Sequence, residues 1–203
     1  MYPKILITGP SGVGKTTLAK WISEEWQIPF KSVSMIRDLA KSYGFKTHHE
    51  LRKLAIDNPV LHYMLQLELL KRRYSEFYGY HSPGFVTDRG HVDSIVYFST
   101  QNLSLTDLRR NIYFYDSYSF HKMWSLCLKF RNIFTDIIFI PFNRNMELED
   151  DGKRIADPEY QEALTWYYTY TLKLLGVYDK CLIINTHDFN RRKELVCNHL
   201  NKK

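Results

Sequence analysis

Short apolar runs alternate along this chain with longer amphipathic stretches, a pattern that predicts strands interleaved with helices. Ile5-Leu6-Ile7, flanked by Lys4 and Thr8, predicts a buried strand over about residues 3–8, and a helix should run from Lys15 to about Trp26. A second short strand is expected at Phe30-Lys31-Ser32-Val33-Ser34, after the Ile28-Pro29 break. Helices should follow over about 35–43 and 59–77, the longer one carrying Val60, Leu61, Met64, Leu65 and Leu67 to Leu70. Gly84-Phe85-Val86-Thr87 reads as a third strand, running into Asp88-Arg89. Residues 92–100 and 106–132 read as helical despite their Tyr and Phe content, and strands are expected over about 136–141 and 180–185. Between those two strands lies a polar loop, 143–157, then a helix with both start signals: Asp157 at the N-cap and Pro158 at the first helical position. Gly176 should close it. The alternation predicts an α/β fold, a parallel sheet wrapped by helices. Without repeat, low-complexity tract or linker, one domain is expected over residues 1–203.

Composition narrows this only a little. Among 203 residues, 28 basic against 22 acidic side chains give a net charge of +6, which suits a polyanionic ligand without choosing between nucleotide and nucleic acid. Cys127, Cys181 and Cys197 stand isolated, with no metal spacing, so a reduced intracellular setting is expected. No leader or long apolar span is evident, which predicts a cytoplasmic protein without a membrane partner. Oligomeric state is not legible.

The chemistry begins where the first strand ends. Gly9-Pro10-Ser11-Gly12-Val13-Gly14-Lys15-Thr16 is a full G-x-x-x-x-G-K-[ST] loop in the strand-loop-helix context it requires. Its glycines allow a nest of N–H groups, the helix start adds positive potential, Lys15 can reach outer phosphates, and Thr16 offers a hydroxyl to Mg²⁺. Gly9, Ser11, Gly12, Val13, Gly14, Lys15, Thr16 and Thr17 are therefore the expected nucleotide-binding residues. Asp88, at the carboxyl end of a strand, suits Mg²⁺ or an acceptor proton, and the Arg89 guanidinium suits a phosphate or substrate oxygen. A purely structural alternative has Asp88 capping the next helix and Arg89 paired with Asp93. Glu147-Leu148-Glu149-Asp150-Asp151-Gly152-Lys153-Arg154 reads as a lid with a glycine pivot, Lys153 and Arg154 being the cations it would bring to the phosphates. The alternative there is a solvated charge run.

Together, GPSGVGKTT, VTDRG and EDDGKRIADPEYQ resemble the NadR-like P-loop kinases, including thymidylate-kinase-like and AAA-labelled small kinases of phage origin. The resemblance implies a three-layer P-loop NTPase fold with a five-stranded parallel sheet of order 2-3-1-4-5 and a lid. It also implies ATP as phosphoryl donor and an acceptor site between strands two and three, over about 35–80. By position Lys15 and Thr16 match the Walker A residues, Asp88 and Arg89 the D-R pair, and Lys153 and Arg154 the lid cations. Nucleoside and thymidylate kinases usually follow D-R with Ser, Tyr or Phe; here Gly90 follows.

Within the acceptor segment Arg37, Asp38, His48, His49, Arg52, Lys53, Arg72 and Arg73 are candidates, with Asp38 as a base and Arg72 or Arg73 as an acceptor-phosphate contact. The aromatic stretch 113–130 could stack on bases, although helix packing explains it more simply. The expected activity is ATP- and Mg²⁺-dependent transfer to a nucleoside or nucleotide-like acceptor. Two other readings stay open: a DNA kinase acting on a hydroxymethylated pyrimidine in phage DNA, within the host cytoplasm, and a regulatory NTPase switch. The switch rests on Asn185-Thr186-His187-Asp188, which lacks the usual guanine lysine and is the loop from which adenine contacts are expected.

Overall fold

The computed structural model describes residues 3–31, 39, 41–45, 50, 53–54, 57–78, 84–100, 118–146 and 157–201. The described strands are β1 (Lys4–Thr8), β2 (Phe30–Lys31), β3 (Phe85–Thr87), β4 (Asp136–Phe139) and β5 (Cys181–Ile183). They form one parallel sheet in the order β2-β3-β1-β4-β5, so the sheet and order expected above are found. Around it lie α1 (Lys15–Glu25), α2 (Pro59–Tyr78), α3 (His91–Thr100), α4 (Tyr118–Phe130), α5 (Pro158–Leu174) and α6 (Phe189–Leu200), with a short 3-10 turn at Tyr178–Lys180.

Strand alternation explains the three layers. Leu6, Phe85, Ile137 and Phe139 point into a core shared with α2, α3, α4 and α5, where Leu70, Val92, Ile95, Met123, Leu164 and Tyr168 are buried. Their strand neighbours Ile5, Ile7, Val86, Ile138 and Ile140 face the opposite way, onto Leu18, Ala19 and Ile22 of α1 and Val196 of α6. Because both faces are covered, the strands read as continuous apolar runs. Two aromatic residues of α4 are core material: Phe120 and Phe130 are buried with Met123 and Cys127, and Phe120 stacks on Trp124, whereas Tyr118 is exposed. Residues 113–117 of that aromatic stretch lie outside the described residues.

Local signals set the element ends. Asp157 Oδ1 accepts the N–H groups of Glu159 and Tyr160, the cap expected for α5, and Gly176 turns the chain beyond it with φ +68°. β2 pairs Phe30 and Lys31 with Val86 and Thr87, and residues 32–34 of the expected strand lie outside the described residues. Among the described residues no helix is long and apolar enough to cross a membrane.

Candidate active site

β1 and β3 are neighbours, and both end at the same edge of the sheet, so the turn after Thr8 meets the turn after Thr87. At Gly9 a Cβ would lie 2.2 Å from the Ile140 carbonyl oxygen, and φ is +139°; only glycine lets the loop leave β1 this close to the chain beyond β4. The turn ends at Gly14, the N-cap of α1. Lys15 is 6% exposed and curls over its own loop, donating from Nζ to the Gly9 carbonyl at 2.7 Å and to the Pro10 carbonyl. The next hydroxyl, Thr16 Oγ1, donates to Asp88 Oδ2 at 2.5 Å, which joins the loop to the end of β3. These two hard oxygen donors fit Mg²⁺, which typically takes one or two protein oxygens and completes its shell with phosphate and water. No larger group of metal-ligating side chains occurs among the described residues.

Beside this pair lies a buried charge network. Asp93 is fully buried on α3 and accepts from Thr8 Oγ1 at 3.1 Å, the Gly90 N–H at 2.8 Å and the Tyr168 hydroxyl at 2.9 Å. Arg89 Nη1 lies 3.6 Å from Oδ1, the oxygen that also accepts the Tyr168 hydroxyl, so three donors and a cation compensate a carboxylate that has lost its water. The Arg89 guanidinium also sits over the Tyr97 ring, 5.1 Å from its centroid, and keeps 28% of its side chain exposed. Burial alone would lower its pKa, but Tyr97, Asp93 and Tyr168 outweigh burial and hold it above the ordinary value. Burial and the adjacent Asp93 push the Tyr168 hydroxyl well up. The structural alternative is therefore half realised: Arg89 does pair with Asp93, whereas Asp88 faces Thr16 and it is Asp93 that takes the N–H at the start of α3.

Gly90 has a steric reason. A Cβ there would lie 2.8 Å from Leu6 Cδ1 in the buried core, so a side chain after Asp88-Arg89 would have to displace the Leu6 side chain. Arg73 comes in beneath this turn, donating from Nη1 to the Gly90 carbonyl at 3.1 Å and to Ser94 Oγ at 2.5 Å. Burial pushes it down to about 10, with Asp93 pulling the other way. Of the two arginines expected near the acceptor, Arg73 thus braces the backbone from the interior, and Arg72 pairs with Glu68 on the surface. Lys53 lies near Asp57 at 3.8 Å, also on the surface. Arg37, Asp38, His48, His49 and Arg52 lie outside the described residues, as do Lys153, Arg154 and the lid pivot Gly152. The chain on either side of that segment is tied to α5, by the Arg144–Glu162 ion pair before it and the Asp157 cap after it.

Further residues stand out only in three dimensions. His62 and Gln66 are buried one turn apart on α2, with side-chain nitrogens 3.4 Å apart, and the His62 ring lies parallel to Phe98 of α3 at 6.1 Å. Two polar side chains at i and i+4 inside an apolar helix stripe were the available sequence signal. After β5, Asp188 Oδ1 accepts the N–H groups of Asn190 and Arg191, so this carboxylate caps α6.

Comparison with known proteins agrees with this geometry. Residues 5–58 match the model of the ATPase family associated with various cellular activities (AAA). Over 73 residues the chain is 37% identical to a cytidylate kinase of Staphylothermus marinus; that stretch is 36% of this chain and 38% of the relative. Among solved structures, NadR protein in complex with NR superposes with a TM-score of 0.68 at 17% identity, over 100% of this chain and 52% of the other. Deoxyadenosine kinase from M. mycoides with bound dCTP gives 0.61 at 18% identity, over 98% and 100%. The chain therefore spans 38% of the cytidylate kinase and about half (52%) of the NadR chain. Its fold is that of the P-loop kinases.

Proposed function

We propose that this chain is an ATP- and Mg²⁺-dependent phosphotransferase acting on a nucleoside, a nucleotide or a related acceptor that carries a base-like ring. The carrying observation is the contact of Thr16 with Asp88 at 2.5 Å, beside a buried Lys15, at the carboxyl ends of two adjacent strands. Phosphoryl transfer through a loose transition state asks the protein mainly for positioned charge, and this crest holds it. The backbone N–H groups from Gly9 through Thr17 and the start of α1 receive the donor phosphates, and Lys15 exchanges its loop carbonyls for them. Bound Mg²⁺ would neutralise developing phosphate charge, held by Thr16 and by Asp88 directly or through water. Asp88 orients the metal or takes the acceptor proton, and half-exposed Arg89, aligned by Asp93 and Tyr97, receives an acceptor oxygen. Lys153 and Arg154 are the cations expected from the lid.

The base-like acceptor is supported by His62, Gln66 and Phe98, which place an amide and flat rings between α2 and α3. It is also in keeping with the structural neighbours, a NadR protein complexed with NAD and AMP-PNP and a deoxyadenosine kinase with bound dATP. The test is transfer from γ-labelled ATP to nucleosides, nucleoside monophosphates, nicotinamide riboside and hydroxymethylated DNA, with and without Mg²⁺. Label on a small nucleoside or nucleotide acceptor, only with Mg²⁺, is the expected result. Label on DNA alone would establish the DNA kinase instead, and label released only to water would establish the NTPase switch.

A further inference from the structure

Behind the phosphate loop sits a buried cation with no carboxylate in ion-pair range among the described residues. Arg192, in the first turn of α6 and 5% exposed, donates from Nη1 to the Val13 carbonyl at 2.7 Å and from Nε to the Thr186 carbonyl at 2.7 Å. Burial lowers its pKa from the ordinary value. Two neutral carbonyls leave most of its charge unneutralised at this spot.

A trans peptide carries that charge inward. Its C=O and N–H point in opposite directions, so the guanidinium that holds the Val13 carbonyl on the outer wall aims the Gly14 N–H into the turn. That N–H makes no hydrogen bond among the described residues. A cation on the carbonyl also polarises the peptide and strengthens its N–H as a donor. The fit is close: a Cβ on Gly14 would lie 2.8 Å from Arg192 Nη1, so the guanidinium occupies the space a side chain there would need. The Nε bond ties the same guanidinium to Thr186, in the loop after β5, whose Thr186 Oγ1 accepts the Asp188 N–H at 3.2 Å.

We infer that Arg192 is a positioning residue for the donor triphosphate, acting through the Val13–Gly14 peptide and fixing the loop after β5 to the phosphate loop. The inference rests on the phosphotransferase reading only in taking the ligand to be a triphosphate. Its test compares calorimetric affinities of the wild type, Arg192→Lys and Arg192→Gln for ATP, inorganic tripolyphosphate and AMP, alongside Tm. Lysine keeps the charge but not the fork; glutamine keeps one donor but not the charge. Both variants should lose roughly tenfold or more in affinity for ATP and tripolyphosphate, the scale of a charge-assisted hydrogen bond, with a much smaller loss for AMP. A lowered Tm with unchanged tripolyphosphate affinity, or equal losses for all three ligands, would overturn the inference. Should neither variant fold, the Gly14 amide resonance of the wild type decides: a downfield shift with tripolyphosphate supports the inference and no shift overturns it. A wild type that binds tripolyphosphate but labels no acceptor would remove the kinase reading and leave the Arg192 role standing. No triphosphate binding at all would remove both.

Discussion

The ammonium of Lys15 is held by two carbonyls of its own loop, so a ligand gains from it only what phosphates offer beyond those carbonyls. Lys15→Ala should therefore cost turnover more than binding, by roughly 10²–10³ in kcat, the scale of a lost electrostatic contact to the transition state; near-normal kcat would contradict the assignment. Asp88→Asn should cut kcat with Tm nearly kept, and Arg89→Ala should raise KM for the acceptor. Parallel losses of Tm and activity in both would favour a purely structural pair. Gly90→Ala tests the steric account. Inserting a methyl against Leu6 should destabilise by about 1–3 kcal/mol in urea unfolding, and Leu6→Val in the same chain should recover part of it. Nearby His91 is buried against Phe134, its rings 5.8 Å apart, and burial pushes its pKa down to about 3. The unfolded chain binds this proton below its ordinary pKa of 6.5 and the folded chain does not. Stability from His91 is therefore complete above pH 6.5 and falls as pH drops toward 3. Between pH 6.5 and 5 the loss should approach about 2 kcal/mol, and His91→Phe should flatten that part of the stability profile.

Helix α5 shows how a capping signal becomes architecture. Asp157→Ala should destabilise by about 1 kcal/mol through the loss of its two N–H contacts. Tyr168→Phe reaches deeper, because it strips one donor from a carboxylate with no exposure; a loss of about 1–3 kcal/mol in thermal or urea unfolding is expected. Features of this kind were legible in the sequence to different degrees, for physical reasons. The phosphate loop, the Asp157 cap and the β1, β3 and β4 runs depend on neighbours within a few residues, so pattern alone reports them. β2 begins at Phe30 as its composition suggests and pairs through Lys31, the last described residue of that run. Arg192 was not legible as a site residue: its partner Val13 lies 179 positions away, and no periodicity brings α6 to the first turn of the chain. The polar pair His62 and Gln66 is visible in the sequence of one helix, but the ring facing His62, Phe98, comes from another.

For the molecule as a whole, the net charge of +6 bears on the choice of polymer or small acceptor. A small-acceptor kinase should show weak, nonspecific DNA binding, whereas a DNA kinase should bind its substrate with a steep log–log salt slope from counterion release. Lid closure is a second molecular-scale expectation. Arg154→Ala should lower kcat far more than ATP affinity, and cleavage within 147–157 by protease should slow when both substrates are bound. Unchanged cleavage together with normal transfer would mark this stretch as a solvated charge run. The hub at Asp93 bears on how such a protein can diversify. It holds the end of β1, the turn after Asp88, the Arg89 guanidinium and helix α5, so four parts of the fold share one buried peg. His62, Gln66 and Phe98 stand farther along α2 and α3, away from that peg. New acceptor preferences should therefore arise there as a change of taste without a change of skeleton, and a library selected for altered acceptors should keep Asp93 intact in every active clone.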